Sequence, residues 1–307
     1  MTTVAVVDIG SNSIRLLIAD KTDDGEITEL DRQANVTRLG QGVDKSNKLA
    51  DEAIERTYKV LADYAKRIDD HECDERIAVL TSAVRDSDNG QEFAQTIEQR
   101  YGLTPYVLKG DEEARLTYLG ATSERDPADT TPTLVVDIGG GSTELIVGAG
   151  PELRFRVSTQ AGVVRQTERH LPDDPPTQTQ MDALAEDVRK ILADIVPAEI
   201  RTAVKRGIAV AGTATSLAAI AQHLDPYDPE KVHGYELSTD ECDRILGELS
   251  AMPLEQRRRV PGLHPDRAPT IIAGVMIFKE VVRIFGLTKI EVSEHDILRG
   301  AALGLTS

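Results

Sequence analysis

The stretch VVDIGSNSIRL, Val6 to Leu16, is written a second time as VVDIGGGSTEL, Val135 to Leu145. In each copy an apolar run closes on aspartate, isoleucine and glycine. A few small polar residues come next, and then a second apolar run. An apolar run bounded by glycine reads as a buried strand, and two such runs across a short polar turn read as a hairpin. Aligning Val4–Ile18 with Thr133–Val147 matches Val6, Val7, Asp8, Ile9, Gly10, Ser13 and Leu16, seven positions of fifteen. Chance likeness between two strands before a glycine is the plain alternative. Against it, each copy heads the same strand-strand-strand-helix series, which favours two halves of one architecture.

In the first half, VAVVDIG, IRLLIAD and EITELDRQ read as an antiparallel meander. DEAIERTYKVLADYAKRI then places Ile54, Tyr58, Leu61 and Ala65 on one helical stripe. RIAVLTSA is a strand, NGQEFAQTIEQRYG a helix stopped by glycine, and PYVL a short strand. GDEEARLTYLGA opens a helix with acids in its first turn, where the helix dipole favours them. The polar, proline-bearing SERDPADTTP reads as a linker. The series then restarts with TLVVDIG, ELIVGA and LRFRVS. A helical region from Thr179 to Lys205 should split at Pro197. RGIAVAG is a strand running into the helix TATSLAAIAQ, and Ser238 with Glu241 forms a capping box. A long helix, the strand KIEVSE and the helix HDILRGAALG complete the chain.

A glycine turn between strands lets backbone approach a ligand closely, because no Cβ intrudes. Successive N–H groups there can point at one anion. Two such turns facing each other would clamp a phosphate chain. Ser11, Asn12, Ser13, Ser142 and Thr143 add donors suited to phosphate oxygens. Asp8 and Asp137 end the strands before the turns, and an acid beside a phosphate clamp repels its ligand unless a cation lies between. Mg²⁺ or another hard divalent cation is therefore expected, with Glu144 as a third carboxylate. The plain alternative is that both aspartates only brace their turns. AVAGTATSLAAI places Gly212, Thr213 and Thr215 between a strand and a helix N-terminus, a third anion site that alone is a weak signal. Of Glu112 and Glu113, one reads as a compensator of the helix dipole and the other as a general base for an attacking water. Arg85 is a candidate phosphate contact, set against its plain reading as a solvated residue.

The net charge of −17 opposes indiscriminate nucleic-acid or membrane binding, although backbone amides bind phosphate without net charge. Cys73 and Cys242 are far apart and fit neither a zinc site nor a disulfide framework. With no basic leader at MTTVAVVD, a cytoplasmic location is expected. No GxSxG and no paired histidines argue for covalent catalysis.

VVDIGSNSIRLL, TSAVRDSDN, GDEEARLTYLG, VVDIGGGSTEL, AGTATSLAA and EHDILRGAALG, in this order, resemble the exopolyphosphatase and guanosine pentaphosphate phosphatase (Ppx/GppA) family. The resemblance runs from Val4 to Leu305. It implies an α/β fold of duplicated ribonuclease-H-like (actin-like ATPase) domains with an interdomain cleft. Residues 1–124 plus 294–307 would form the first domain and 125–293 the second. It further implies Glu113 as the catalytic glutamate and Asp137, Gly139 and Glu144 as the metal and water pocket. Phosphate contacts would come from Ser11–Ser13, Arg85, Gly140, Gly141, Ser142, Thr143 and Gly212–Thr215.

Long members of the family carry additional C-terminal helical domains, and none is expected here after GAALG. A homodimer would replace part of that anion surface, with RFRVS and EQRRR as candidate basic stretches; the plain reading of both is solvated charge. The expected activity is Mg²⁺-dependent release of terminal orthophosphate from inorganic polyphosphate. The nearest alternative is the same chemistry on guanosine pentaphosphate, which an aromatic content of 4% without tryptophan disfavours weakly. An ATP-dependent small-molecule kinase and a non-catalytic polyphosphate sensor are the remaining readings.

Overall fold

The computed structural model describes residues 1–306. Ser307, the last residue of the expected first domain, lies outside them. The chain divides into two compact units, one comprising Met1–Ser123 with the C-terminal segment from His295, the other Glu124–Glu294.

The first unit begins with the meander β1 (Thr2–Ile9), β2 (Ser13–Lys21) and β3 (Ile27–Val36). Next come α1 (Val43–Ser46), α2 (Asp51–Asp70), β4 (Glu75–Leu80), α3 (Ser82–Arg85), α4 (Gly90–Tyr101), β5 (Thr104–Val107) and α5 (Gly110–Thr122). The sheet order is β3-β2-β1-β4-β5, with β1 antiparallel to β2 and parallel to β4. Side chains alternate across a strand, so each strand serves two cores. Val7, Ile9, Leu16 and Ile18 face a cluster that includes Leu61, Tyr64, Phe93 and Ile97 of α2 and α4. Val4, Val6, Leu17 and Ala19 face a second cluster with Leu116 of α5 and Ile297, Leu298 and Ala301 of the final helix. In α2 the fully buried residues are Ala53, Thr57, Leu61, Tyr64 and Ile68, while Ile54, Tyr58 and Ala65 are half-buried beside them. The buried stripe is thus rotated slightly from the one expected.

The second unit repeats the pattern with β6 (Thr133–Ile138), β7 (Thr143–Ala149) and β8 (Glu152–Thr159). α6 (Val163–His170), α7 (Gln178–Ile195), α8 (Ala198–Ala203), β9 (Arg206–Val210) and α9 (Ala211–Ala221) come next. The unit continues through α10 (Pro229–Val232), β10 (Glu236–Ser238), α11 (Thr239–Ser250), α12 (Leu254–Arg257), α13 (Ile271–Ile284) and β11 (Lys289–Val292). The closing helix α14 (Ile297–Gly304) belongs to the first unit. The second sheet has the order β10-β11-β9-β6-β7-β8. Apart from β10, which adds antiparallel at one edge, that is the first sheet's order again: third, second, first, fourth, fifth. The α/β duplication read from the sequence is present in both sheets.

Local signals act where expected. Pro197 separates α7 from α8, and Ser238 caps α11 in a reciprocal box with Glu241. Of the elements that the sequence reading omits, which include the four-residue helices α1, α3, α10 and α12, α6 is the longest. It is eight residues long, too short for a stripe to stand out from a loop. Among the described residues no helix is long and apolar enough to cross a membrane.

Candidate active site

The two glycine turns are closed by the same bond. Gly10 N–H donates to Ser13 O at 3.0 Å, and Gly139 N–H donates to Ser142 O at 2.9 Å. A Cβ on Gly10 or on Gly139 would sit 3.2 Å from that serine carbonyl in both cases. The sequence repeat is therefore a repeat of backbone geometry.

The strands beyond the two turns differ in charge. In the first unit Asp8 stands opposite Arg15 across β1 and β2. Arg15 donates from Nη2 to Asp8 Oδ2 at 2.6 Å and from Nε to the same oxygen at 2.9 Å. Its Nη1 reaches Asp296, the N-cap of α14, whose other oxygen accepts from Leu298 N–H at 3.0 Å. One guanidinium thus ties β1, β2 and α14 together, with all three side chains almost out of solvent. Burial pushes the Asp8 carboxyl above its usual range, and Arg15 opposes that shift without cancelling it. Asp8 is read from the sequence as a cation ligand. In the structure, a side chain of its own hairpin, Arg15, supplies positive charge beside it.

Ser11 and Asn12 are buried in this turn. The Ser11 hydroxyl pairs with that of Ser82 at 2.9 Å. Asn12 Oδ1 has no hydrogen-bond partner among the described residues. Such an orphaned buried acceptor costs about 1–3 kcal/mol unless a ligand or water meets it. Ser13, the turn's last residue, begins β2 and is half-buried.

α5 separates the two glutamates. Glu112 is exposed, and its carboxylate accepts from Lys109 N–H at 3.2 Å, capping the helix. Glu113 is buried, and Arg85 Nη1 donates to its Oε2 at 2.9 Å. The same nitrogen donates to Leu108 O at 3.1 Å, which fixes the guanidinium on backbone. Arg85 is the last residue of the short helix α3 rather than a loop residue directly after β4. A charge-assisted bond of this kind orients the carboxylate as well as neutralising it.

In the second unit the register sets Asp137 opposite Glu144, and Glu144 opposite Ser158 on β8. Directly opposed residues share a sheet face. This face is the one turned away from Leu134, Val136 and Ile138, which belong to the helical core. Ser158 donates to Glu144 Oε1 at 2.6 Å. Asp137 and Glu144 are both buried. Two carboxylates facing each other across a ladder repel, and two carboxylates with a hydroxyl are the hard oxygen donors that a divalent cation takes. The donor set fits such an ion. Arg15 in the first unit occupies the position that Glu144 holds in the second, so the duplicated hairpins have diverged in charge at one register position.

The other expected donors divide by what their hydroxyls do. Thr143 donates to Ala161 O at 2.5 Å and Thr213 to Ile138 O at 2.9 Å. Both protons are given to backbone, so these threonines brace their turns. Gly140, Gly141 and Ser142 are buried in the turn itself. Gly212 lies under the Arg267 guanidinium, where a Cβ would come 1.7 Å from a terminal nitrogen. Thr215 bonds to Tyr227, whose hydroxyl donates to Glu294.

The Ppx/GppA phosphatase family matches residues 17–304 of this chain. The chain belongs to the Ppx/GppA phosphatase family. It is 38% identical to "Exopolyphosphatase 2" of Mycobacterium tuberculosis, over 99% of this chain and 99% of that protein. It is 35% identical to the "Bifunctional 3-dehydroquinate synthase/phosphatase" of Fusobacterium nucleatum, over 97% of this chain and 46% of that longer protein. Among solved structures, an exopolyphosphatase-like protein superposes with a TM-score of 0.92 at 37% identity, covering 99% of this chain and 97% of the other. The Aquifex aeolicus member of the Ppx/GppA family gives 0.81 at 32%, with the same coverages.

Within this family member, three side chains escape a reading of sequence motifs. Asp296 lies 281 positions from Arg15, so no local spacing announces their bond. Ser158 has only its place on the third strand to mark it. Arg165 sits on α6, and its Nε donates to Gly141 O at 3.0 Å.

Proposed function

We propose that this phosphatase is an exopolyphosphatase that releases terminal orthophosphate from inorganic polyphosphate with Mg²⁺. The observation that carries the reading is the buried Glu113 carboxylate held by Arg85, in a chain that matches an exopolyphosphatase end to end. Hydrolysis of a phosphoanhydride demands an oriented water, charge neutralisation and in-line geometry, and little covalent chemistry. Glu113 accepts a proton from the attacking water as the new P–O bond forms. The bridging P–O bond breaks, and the shortened polyphosphate leaves on its own oxygen. Gly140 and Gly141 offer backbone N–H groups to phosphate oxygens, and Ser11 and Asn12 are further candidate phosphate contacts. Asp137 and Glu144 would hold the cation, with Ser158 orienting Glu144; bound there, the ion would offset phosphate charge. Arg85 orients Glu113 before attack and stands ready to take up phosphate charge.

Orthophosphate release should be measured across a polyphosphate length series and on guanosine pentaphosphate, with and without Mg²⁺. Polyphosphate is expected to turn over faster and to require the cation. Glu113→Gln is expected to bind polyphosphate while losing about 10²–10⁴-fold in kcat. Faster turnover of the guanosine nucleotide would reverse the substrate assignment. Unchanged kcat in Glu113→Gln would remove Glu113 from its role.

A further inference from the structure

The second glycine turn is held from behind by α6. Val163 N–H donates to Gly139 O at 2.9 Å, and Val164 N–H to Gly140 O at 2.8 Å. Arg165 Nε donates to Gly141 O at 3.0 Å. Each carbonyl of the turn is thus drawn toward one helix. In a trans peptide the C=O and the following N–H point in opposite directions. The direction of the Gly140 and Gly141 amides is therefore set by where α6 lies. Gly162, which leads into the helix, leaves no slack, since a Cβ there would stand 2.2 Å from the Gly141 carbonyl carbon.

α6 does not hold this place by its own stability. It has eight residues, and helices this short are marginal unless packing supports them. Val163 and Val164 enter the helical core at its first turn. Further along, the support is polar. Gln166 Nε2 donates to Asp187 Oδ2 of α7 at 3.1 Å, and His170 Nε2 lies 3.2 Å from the same oxygen. Gln166 and His170 are four positions apart, so they stand on one face of α6 and share one carboxylate. α7 is a firm base for them. Leu184 and Val188, on either side of Asp187, are fully buried in the core, and Arg189 Nε donates to Glu280 Oε2 of α13 at 3.0 Å.

Packing alone does not account for a glutamine at position 166. Gln166 is 0% exposed, and its Oε1 has no hydrogen-bond partner among the described residues. A leucine would fill the site without burying an orphaned acceptor. Local rules are broken in this way where function asks for it. What the glutamine adds is direction. Its amide reaches one carboxylate oxygen, and a hydrogen bond fixes both the turn of α6 about its axis and its distance from α7.

We propose that Gln166 and Asp187 are positioning residues of the hydrolytic reaction. Asp187 holds Gln166 and His170, these fix α6, and α6 aims the Gly140 and Gly141 amides at phosphate oxygens. This rests on the phosphatase reading above and on the phosphate role given there to the second turn. It adds a latch between two helices that acts without contact to substrate. Hydrogen-bond donors aimed at developing charge work by being in place beforehand, so a small loss of alignment affects rate more than folding. No bond is made or broken at the latch.

The test measures orthophosphate release from polyphosphate with Mg²⁺ in Gln166→Leu, Asp187→Ala and Asp187→Asn beside wild type. Gln166→Leu is expected to melt within a few degrees of wild type, while kcat falls about 10–10²-fold with KM changing much less. Asp187→Ala should show the same fall, and combining the two changes should lose no more than either alone, because the residues act as one unit. Both bonds end on one oxygen, which the amide oxygen of asparagine can replace, so Asp187→Asn should keep kcat within about threefold of wild type. Amide hydrogen exchange in Gln166→Leu should quicken across α6 and stay unchanged in α7. Unchanged exchange in α6, wild-type kcat in both Gln166→Leu and Asp187→Ala, or activity that falls only as folded protein is lost would each overturn the latch. Asp187→Asn as slow as Asp187→Ala would overturn it as well. A wild-type protein that hydrolyses neither polyphosphate nor guanosine pentaphosphate would instead overturn the phosphatase reading, and exchange in α6 would still report whether the latch holds the helix.

Discussion

Glu113 stands on a helix whose position depends on two glycines. α5 and α14 cross backbone to backbone at Gly120 and Gly300. A Cβ on Gly300 would lie 1.8 Å from Leu116 O, and one on Gly120 would lie 1.9 Å from Asp296 O. Real Cβ contacts essentially never fall below 3.0 Å, so Gly300→Ala forces the helices apart by more than 1 Å, about 1.2 Å along that contact. Leu116 is one turn beyond Glu113, and α5 moves as a rigid rod, so the carboxylate shifts by a similar amount. Overpacking of this kind costs about 1–3 kcal/mol, against a gain of about 1 kcal/mol for replacing a helical glycine. The net loss of stability is therefore at most about 2 kcal/mol, too small to unfold a typical domain. The effect on catalysis is larger, because a misplacement of about 1 Å can cost 10²-fold. Gly300→Ala is expected to melt a few degrees early and to lose about 10²-fold in orthophosphate release at saturating polyphosphate. Gly247→Ala is the control: that glycine is in α11 with open space around its missing Cβ, and alanine there should be neutral or stabilising. Wild-type kcat in a well-folded Gly300→Ala would refute the claim that α14 sets the position of the base.

Asp296→Asn keeps an acceptor for Leu298 N–H but removes the negative charge that faces Arg15, and should cost about 2 kcal/mol in urea unfolding. Asp296→Ala also loses the cap and should cost about 1 kcal/mol more; equal midpoints for the two variants would show that the cap contributes nothing. Tyr235 donates to Glu241 at 2.5 Å, and burial together with that bond pushes its hydroxyl up to about 12. Burial alone would raise Glu241, but bonds from Ser238 and Tyr235 outweigh it and hold the carboxyl below its ordinary 4.5. A raised phenol stabilises below its unfolded value of 10.0 and loses that contribution as pH climbs toward 12, whereas a lowered carboxyl stabilises above 4.5 and loses it as pH falls. The melting-temperature deficit of Tyr235→Phe should therefore be widest between about pH 5 and 9 and shrink at both ends; a deficit independent of pH would refute the pairing.

Features written in contiguous residues were legible in the sequence alone. The duplication needed only the two VVDIG hairpins, because strand alternation and glycine turns are properties of short segments. The same holds for the split at Pro197 and the box at Ser238, where the physics is confined to one helix end. The motif glutamates were visible as a pair and the family resemblance singled out Glu113, but the physical difference between the cap Glu112 and the buried Glu113 came only from the fold. Tertiary structure decided the rest, since long-range bonds have no spacing to read. It bound Asp8 through Arg15 to Asp296, gave the hydroxyls of Thr143 and Thr213 to backbone, and laid α6 with Arg165 against the second turn. A local sequence dictates which backbone turn can form; which charge faces that turn depends on where distant strands and helices come to pack.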